Sequence, residues 1–381
     1  MLTMRTSGLP ESWFHTYVDP TRCYFETGAA SRPSGTLWEY DSTGTQTLCA
    51  LVERVSGMSM LDYLKEKLFY KMGSFSTAKF YKASNNDSFG ASSMICTSED
   101  MASFAKLLMD GGAYDGEQLI SREFLEDALS VQADNDILGF DDPVHQGYGY
   151  QIWRFPEGGF GFAGMGDQLT VCYPEKDLIF VCTSDNQGYT QMRPMIIALL
   201  IEDILKNMGD PLPDDPDAYA ELCEYLSSRE LACVRGAQSS PLKEIIDGKE
   251  FICEPNKTGI TRFRFDFSDG EGEFSYTNAQ GDKRLRFGVG KNVFSKFPQW
   301  GYYGEHAAVP MREDFFYDCA TSAAFRMEDT LVMKVQIIDD YLGNMTARFA
   351  YRDGIMAVKM IKNAEDFLNE YEGEFIAKAV R

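Results

Sequence analysis

The chain has 381 residues, 44% of them hydrophobic and 25% charged, and a formal net charge of -22. That length favours two domains, and that composition fits an ordinary globular chain with room for real cores. The acidic balance argues against nucleic acid, anionic membrane and polyanionic ligands as partners, because each is repelled. Residues 1–36 read as loop, punctuated by Gly8, Pro10, Pro20, Gly28, Pro33 and Gly35. The opening MLTMRTSGLPESW has no basic region followed by a long apolar core, so no signal peptide is expected and a cytoplasmic location is. Residues 37–57, LWEYDSTGTQTLCALVERVSG, then carry an aromatic residue, Tyr40, straight into a predicted helix. Ser42 or Thr43 can cap that helix, since a hydroxyl accepts from an orphan N–H. Leu48, Leu51, Val52 and Val55 recur at helical spacing as its core face, and Gly57 ends it. A tyrosine just ahead of a buried helix is held from behind. That suits a hydroxyl fixed in a cleft, and equally a half-buried packing residue with a wet tip.

A second helix is predicted over 59–69, with Leu61, Leu64 and Leu68 on one face and Ser59 and Asp62 at the spacing of a capping box. Residues 70–96 are irregular. Thr97 or Ser98 starts a third helix, DMASFAKLLMD, which stops at Gly111 and Gly112, and Ser121 caps a fourth, REFLEDALSV. From Gly147 the period changes, with Tyr148, Tyr150 and Ile152 alternating as in a strand. The runs 168–173 and 178–184 form a hairpin across Pro174-Glu175-Lys176-Asp177. The second run, LIFVCTS, is apolar on both faces and predicts a central strand covered on both sides. Only the 168–173 run is near it in sequence. Its other edge therefore calls for a second chain in a homodimer, the β domain or further sequence, since an open apolar edge aggregates. A helix over 191–207 covers the sheet; its most apolar stretch, 195–201, is too short to span a bilayer.

The segment DPLPDDP at 210–216 is a stiff acidic linker. It separates a domain over 1–209 from a linker and helix over 210–235 and a β domain over 236–381. There Phe263, Phe265 and Phe267 alternate with charged residues, and Leu331, Met333, Val335 and Ile337 form one apolar face. Ala347, Phe349 and Tyr351 pair across Arg352-Asp353-Gly354 with Met356, Val358 and Met360. Short alternating strands at this spacing indicate an antiparallel sandwich or barrel. The 9 cysteines show no C-x-x-C spacing and the three histidines (His15, His145, His306) lie far apart. No metal or cofactor is expected, and free thiols in a reducing compartment account for the cysteines.

Five segments line up, in order, with one family: LTMRTSGLP at 2–10, YDSTGTQTLCALVERVSG at 40–57, TSEDMASFAKLLMDGGAYDGEQLIS at 97–121, YGYQIW at 148–153 and FAGMGDQLTVCYPEKDLIFVCTSDN at 162–186. The chain resembles the β-lactamase-related serine hydrolases, which include class C β-lactamases, penicillin-binding D-alanyl peptidases and related esterases. The resemblance implies an α/β (α+β) domain of the β-lactamase/transpeptidase type, with an antiparallel sheet flanked by helices, followed here by a small all-β domain. It implies hydrolysis of a small-molecule or peptide-like ester or amide through an acyl-enzyme on the serine of an S-x-x-K motif. Serine is a poor nucleophile until a neighbour takes its proton, and the acyl step needs N–H donors at the developing oxyanion. By this resemblance Tyr40 matches the family tyrosine, a proton carrier. Ser42 stands where the family has asparagine. Phe162-Ala163-Gly164 matches the K-T-G triplet with lysine replaced, Gly164 admits close substrate approach, and the N–H of Met165 is an oxyanion donor.

In the family S-x-x-K precedes the segment resembling LTMRTSGLP, so the nucleophile helix has no counterpart in this chain. Three literal matches exist, Ser76–Lys79, Ser103–Lys106 and Ser240–Lys243, where chance supplies roughly one or two in a chain this long. The last is followed by Lys257-Thr258-Gly259, which Pro255-Asn256 and a following strand mark as a hairpin turn. Two expectations stand: a serine hydrolase, or a non-catalytic relative that uses its cleft or β domain for binding.

Overall fold

In the computed structural model, which describes residues 1–8, 19–26, 30–136, 139, 144–300, 315–364 and 367–380, the chain divides into two units between Gly209 and Asp210. In the first, a short helix α1 (Pro20–Glu26) precedes α2 (Ser42–Ser56). Asp41 caps α2, not Ser42 or Thr43: its buried carboxylate accepts from the Gly44 N–H at 2.7 Å and the Tyr24 hydroxyl at 2.9 Å. A carboxylate also meets the positive end of the helix dipole, which a hydroxyl does not. Gly57 closes the helix at φ 70°, its N–H on the Glu53 carbonyl. The buried face is not the one that the leucines and valines predict. Thr43, Gln46, Thr47, Cys49 and Ala50 are buried, whereas Leu51 and Val55 are 56% and 80% exposed. Close approach decides this: a Cβ on Gly90 would lie 2.2 Å from the Cys49 Cβ, so only small side chains fit there. Polar ties hold the same face, with Gln46 Nε2 donating to the Ser88 carbonyl at 3.0 Å and Glu53 accepting from the N–H groups of Ser88 and Met60.

Helix α3 (Met60–Leu64), capped by Ser59, runs through a π turn (Lys65–Phe69) into α4 (Tyr70–Met72). Two ribbons, β1 (Lys79–Phe80) with β2 (Met94–Ile95) and β3 (Ala113–Tyr114) with β4 (Glu117–Gln118), lie before and after α5 (Ser98–Met109) in the chain. A capping box between Thr97 and Asp100 opens α5, and Ser121 caps α6 (Arg122–Leu129). The sheet is antiparallel, in the order β5 (Trp153–Arg154), β6 (Phe160–Ala163), β7 (Leu169–Tyr173), β8 (Leu178–Cys182). The alternation from Tyr148 to Ile152 is not a strand. Gln151 turns the chain at φ 61°, and pairing with β6 starts only at Trp153.

Strand β7 is fully buried. Leu169, Val171 and Tyr173 share a core with α7 (Met192–Leu199) and the π turn Leu200–Ile204, while Cys172 joins the core under α5 and α6. Strand β8 is not central. It ends the sheet order, pairs only with β7 among the described residues, and all five of its residues are half-buried. It is apolar on both faces because Leu178, Phe180 and Cys182 pack toward the α7 core and Ile179 toward the α5 core. Covered faces, not a strand on each side, explain its composition. No helix among the described residues is long and apolar enough to cross a membrane.

The second unit opens with α8 (Pro216–Ser227), capped by Asp215, and α9 (Pro241–Ile246), capped by Ser240. Ten strands follow: β9 (Glu250–Cys253), β10 (Arg262–Ser268), β11 (Glu271–Asn278), β12 (Gly281–Val289), β13 (Val293–Lys296), β14 (Asp318–Met327), β15 (Thr330–Ile338), β16 (Leu342–Arg352), β17 (Ile355–Asn363) and β18 (Gly373–Ala379). Antiparallel neighbours run β12-β11-β10-β9-β18-β17-β16-β15-β14, and β12 closes the ring on β14 through Gly288↔Ser322 and Val289↔Ala323. β13 pairs with the rest of that β14 edge. Of the two expected architectures the barrel forms. The register Ala347↔Met360, Phe349↔Val358, Tyr351↔Met356 is the one the alternation predicts. The interior is packed with rings, Phe251, Phe263, Phe265, Phe274, Phe287 and Phe349 among them, each at most 1% exposed.

Candidate active site

Tyr40 sits on a loop pinned from the N-terminal segment. The N–H groups of its two neighbours, Glu39 and Asp41, donate to the carbonyl and the sulfur of Met4, a fully buried residue. Held this way, the Tyr40 ring is 43% exposed and stacks on Trp153 with centroids 5.7 Å apart and planes 22° apart. Trp38 packs edge-on to Trp153 at 5.8 Å, and Tyr148 at 5.2 Å. Burial, and then the neighbouring Tyr40, hold the Tyr148 phenol far above its ordinary range, so it stays protonated.

Trp153 is the register partner of Gly161 on β6. Gly164 lies three residues further on, roughly 10 Å along an extended chain. Thr45, in the first turn of α2, donates through its hydroxyl to Gln151 Oε1 at 3.0 Å, two residues before Trp153. Tyr40 thus packs on β5, and the 162–165 segment continues from the adjoining strand β6. Within that segment Phe162 packs on Phe104 of α5, at 5.8 Å between rings, on the face opposite Ala163. No lysine stands at its position. Ser42 is the first residue of α2.

The turn from Gly164 to Gln168 is tied at almost every carbonyl. Arg193, in the first turn of α7, donates from Nη2 to the Gly164 carbonyl at 2.5 Å and from Nε to Asp167 Oδ1 at 3.2 Å. The Ser184 hydroxyl bridges the Gly166 and Asp167 carbonyls at 2.6 and 3.1 Å, and Gln168 Nε2 donates to the Ser184 carbonyl. The Gly164 N–H closes the turn on the Gln168 carbonyl at 2.7 Å. Across a trans peptide the C=O and the following N–H point in opposite directions. With the Gly164 carbonyl held on Arg193, the Met165 N–H is aimed away from Arg193. It donates to nothing among the described residues, and Met165 is 38% exposed. A fixed, unused N–H at a strand end is a ready donor to a developing oxyanion.

The S-x-x-K matches have other uses. The Ser103 hydroxyl donates to the Glu99 carbonyl at 2.9 Å while Lys106 is paired with Asp110 at 2.9 Å, both on the outer surface of α5. Ser76 lies in a loop and Lys79 starts β1. Ser240 caps α9 and Lys243 lies over the Phe267 ring. Lys257-Thr258-Gly259 is the turn between β9 and β10, with Gly259 at φ 69°. Sequence reasoning missed Arg193, Asp167 and Trp153, since no local pattern marks a residue that acts on a turn distant in sequence. Asp41 was within reach, because aspartate is as good a cap as serine.

The β-lactamase family model matches residues 2–202, more than half of the chain. A 6-aminohexanoate-dimer hydrolase from Paenarthrobacter ureafaciens is 27% identical over 93 residues, 24% of this chain and 24% of that protein, so the match spans about a quarter of that relative's length. Among solved structures, a β-lactamase from Mycobacterium bovis has a TM-score of 0.39 at 22% identity, with 53% of this chain and 72% of that one covered. A fatty-acid-binding protein from Manduca sexta has a TM-score of 0.24 at 12% identity, with 35% of this chain and 99% of that one covered.

Proposed function

Because the chain belongs to the β-lactamase family, we propose that its first unit is the substrate-binding body of an acyl-transfer hydrolase acting on a small or peptide-like amide or ester. The observation that carries this reading is the Met165 N–H, unused and oriented by the grip of Arg193 on the Gly164 carbonyl. In this reading that N–H takes the oxyanion, Gly164 lets the substrate backbone approach, and Tyr40 carries a proton from its platform on Trp153. Phe162 puts an apolar wall where a lysine would hold a carboxylate, which favours substrates without one at that point. In this reading the serine nucleophile is none of Ser76, Ser103 and Ser240: the hydroxyls of Ser103 and Ser240 are hydrogen-bonded elsewhere, and Ser76 lies in the loop ahead of β1. A second reading, binding without turnover, is favoured by the same Phe162 and by Ser42 at the asparagine position. The open edge of β8 is paired, in this proposal, by the β8 of a second copy about a two-fold axis.

The purified chain is to be treated with a fluorophosphonate probe and, separately, with the 6-aminohexanoate dimer in its relative's name. The hydrolase reading expects a covalent serine adduct and turnover that falls roughly 100-fold in Met165→Pro, which deletes the N–H. Saturable binding of the amide with neither adduct nor turnover overturns it in favour of the second reading.

A further inference from the structure

Among the described residues of the barrel, Lys283 faces inward and has a neutral amide as its hydrogen-bond partner. Lys283 lies on β12, where Asp282, Arg284 and Arg286 face outward and Leu285 and Phe287 face the core. It follows the inward set, is 6% exposed, and is the register partner of the inward Tyr276 on β11. Its Nζ donates to Gln280 Oε1 at 3.0 Å, and no ion pair or other hydrogen bond is made to it by the described residues. An ammonium has three donors, and two are left over here. Burying a charge without a hydrogen-bonded counter-charge is costly, so a position that keeps one calls for a reason.

Gln280 connects this lysine to a buried polar chain. The Gln280 N–H donates to Asn278 Oδ1 at 2.9 Å, and Asn278 Nδ2 donates to Gln299 Oε1 at 3.0 Å. The Tyr371 hydroxyl donates to the same oxygen at 3.2 Å and accepts from Tyr276 at 2.7 Å. That chain spends the oxygens of Asn278 and Gln299 internally. The amide nitrogen of Gln299 donates to nothing among the described residues. The unspent groups are therefore donors, and one of them is a cation.

We propose that Lys283, at one end of the chain of bonds that runs through Gln280 and Asn278 to Gln299, is the anchor of a binding site for a small monocarboxylate at the β11–β12 end of the barrel. One positive charge balances one negative charge. The acidic side chain whose field acts on Lys283 is Glu370, which opposes a second negative charge and so disfavours a phosphate dianion. Its register partner Tyr276 stacks on Phe274, and Phe297 packs on Tyr371, all four rings buried. The ligand is therefore compact, or keeps its tail outside. Without a ligand, burial holds the Lys283 amine below its ordinary range, Glu370 offsetting part of this; a bound carboxylate raises it again.

The test uses the full chain with lysine labelled by 13C at the ε carbon, at constant ionic strength, with sodium chloride replaced stepwise by sodium acetate. The Lys283 signal, identified by its absence in K283M, is expected to shift saturably, half-way at roughly millimolar acetate, while surface lysines do not. If K283M fails to fold, K283R keeps the charge, removes the signal and gives the same assignment. A Lys283 signal that ignores acetate, or moves only in step with the other lysines, overturns the site. A larger response to inorganic phosphate than to acetate overturns the monocarboxylate assignment.

Discussion

One guanidinium sets the direction of the donor on which the proposed chemistry depends. Arg193 is a positioning residue: it touches the Gly164 carbonyl and Asp167, not the space in front of Met165. Arg193→Met leaves the Gly164 carbonyl and the buried Asp167 carboxylate without their side-chain partner, at a cost of about 1–3 kcal/mol in unfolding free energy from urea titration. Hydrogen exchange of the peptide spanning 164–168 is expected to accelerate in that variant and to be partly restored by Arg193→Lys, which keeps the charge but not the fork. Unchanged exchange in Arg193→Met would disprove the clamp. A second residue effect concerns pH. Burial and then Asp41 push the Tyr24 phenol up to about 12 from its ordinary 10.0. The folded phenol therefore keeps its proton after the unfolded one has lost it. This contribution to stability is intact below the unfolded value and is lost as pH rises through the folded one. Tyr24→Phe is expected to flatten that alkaline loss in denaturation midpoints measured across the two values.

At the scale of elements, α2 separates what was legible from what was not. Its existence, its glycine end and its place after Tyr40 follow from spacing and propensity in the sequence. Its orientation does not, because helical periodicity records where large apolar residues lie, and here close backbone approach to Gly90 selects the small ones. Replacing Leu51 and Val55 together by glutamate is expected to change stability by no more than about 1 kcal/mol, since exposed positions are tolerant. Gly90→Ala is expected to cost about 1–3 kcal/mol by overpacking against Cys49. The reverse ranking in urea titrations would return α2 to the orientation its sequence predicts. The barrel strands were far more legible, because period-two alternation with a turn between fixes both face and register, as in β16 and β17. For β8 the composition reports covered faces, which a strand at the end of the sheet order has as fully as a central one. If that edge is used for self-association, Val181→Lys should shift sedimentation toward the monomer without altering the far-UV spectrum, as charged residues do on natural edge strands.

At the scale of the whole molecule, the second unit has what independent folding requires: a ring of strands closed by β12 on β14, and one aromatic core within it. Its stability also draws on a strap ahead of the first strand. Leu231, Ala232 and Arg235 give their carbonyls to Asn292, Gln336 and Arg326, and the Val234 N–H donates to the Ser322 hydroxyl. Ala237 bridges Phe325 through both of its backbone groups. Each such bond contributes about 0.5–1.5 kcal/mol net, so six together are a large part of a small domain's stability. A fragment of residues 210–381 is expected to unfold in one cooperative transition with the near-UV signal of a packed aromatic core. A fragment of 238–381, which keeps every strand but lacks the strap, is expected to fold with the same far-UV spectrum and a denaturation midpoint lower by several kcal/mol in free energy. Equal midpoints would mean that the strap only decorates the barrel, and a 210–381 fragment with no cooperative transition would mean that the barrel needs the first unit to fold.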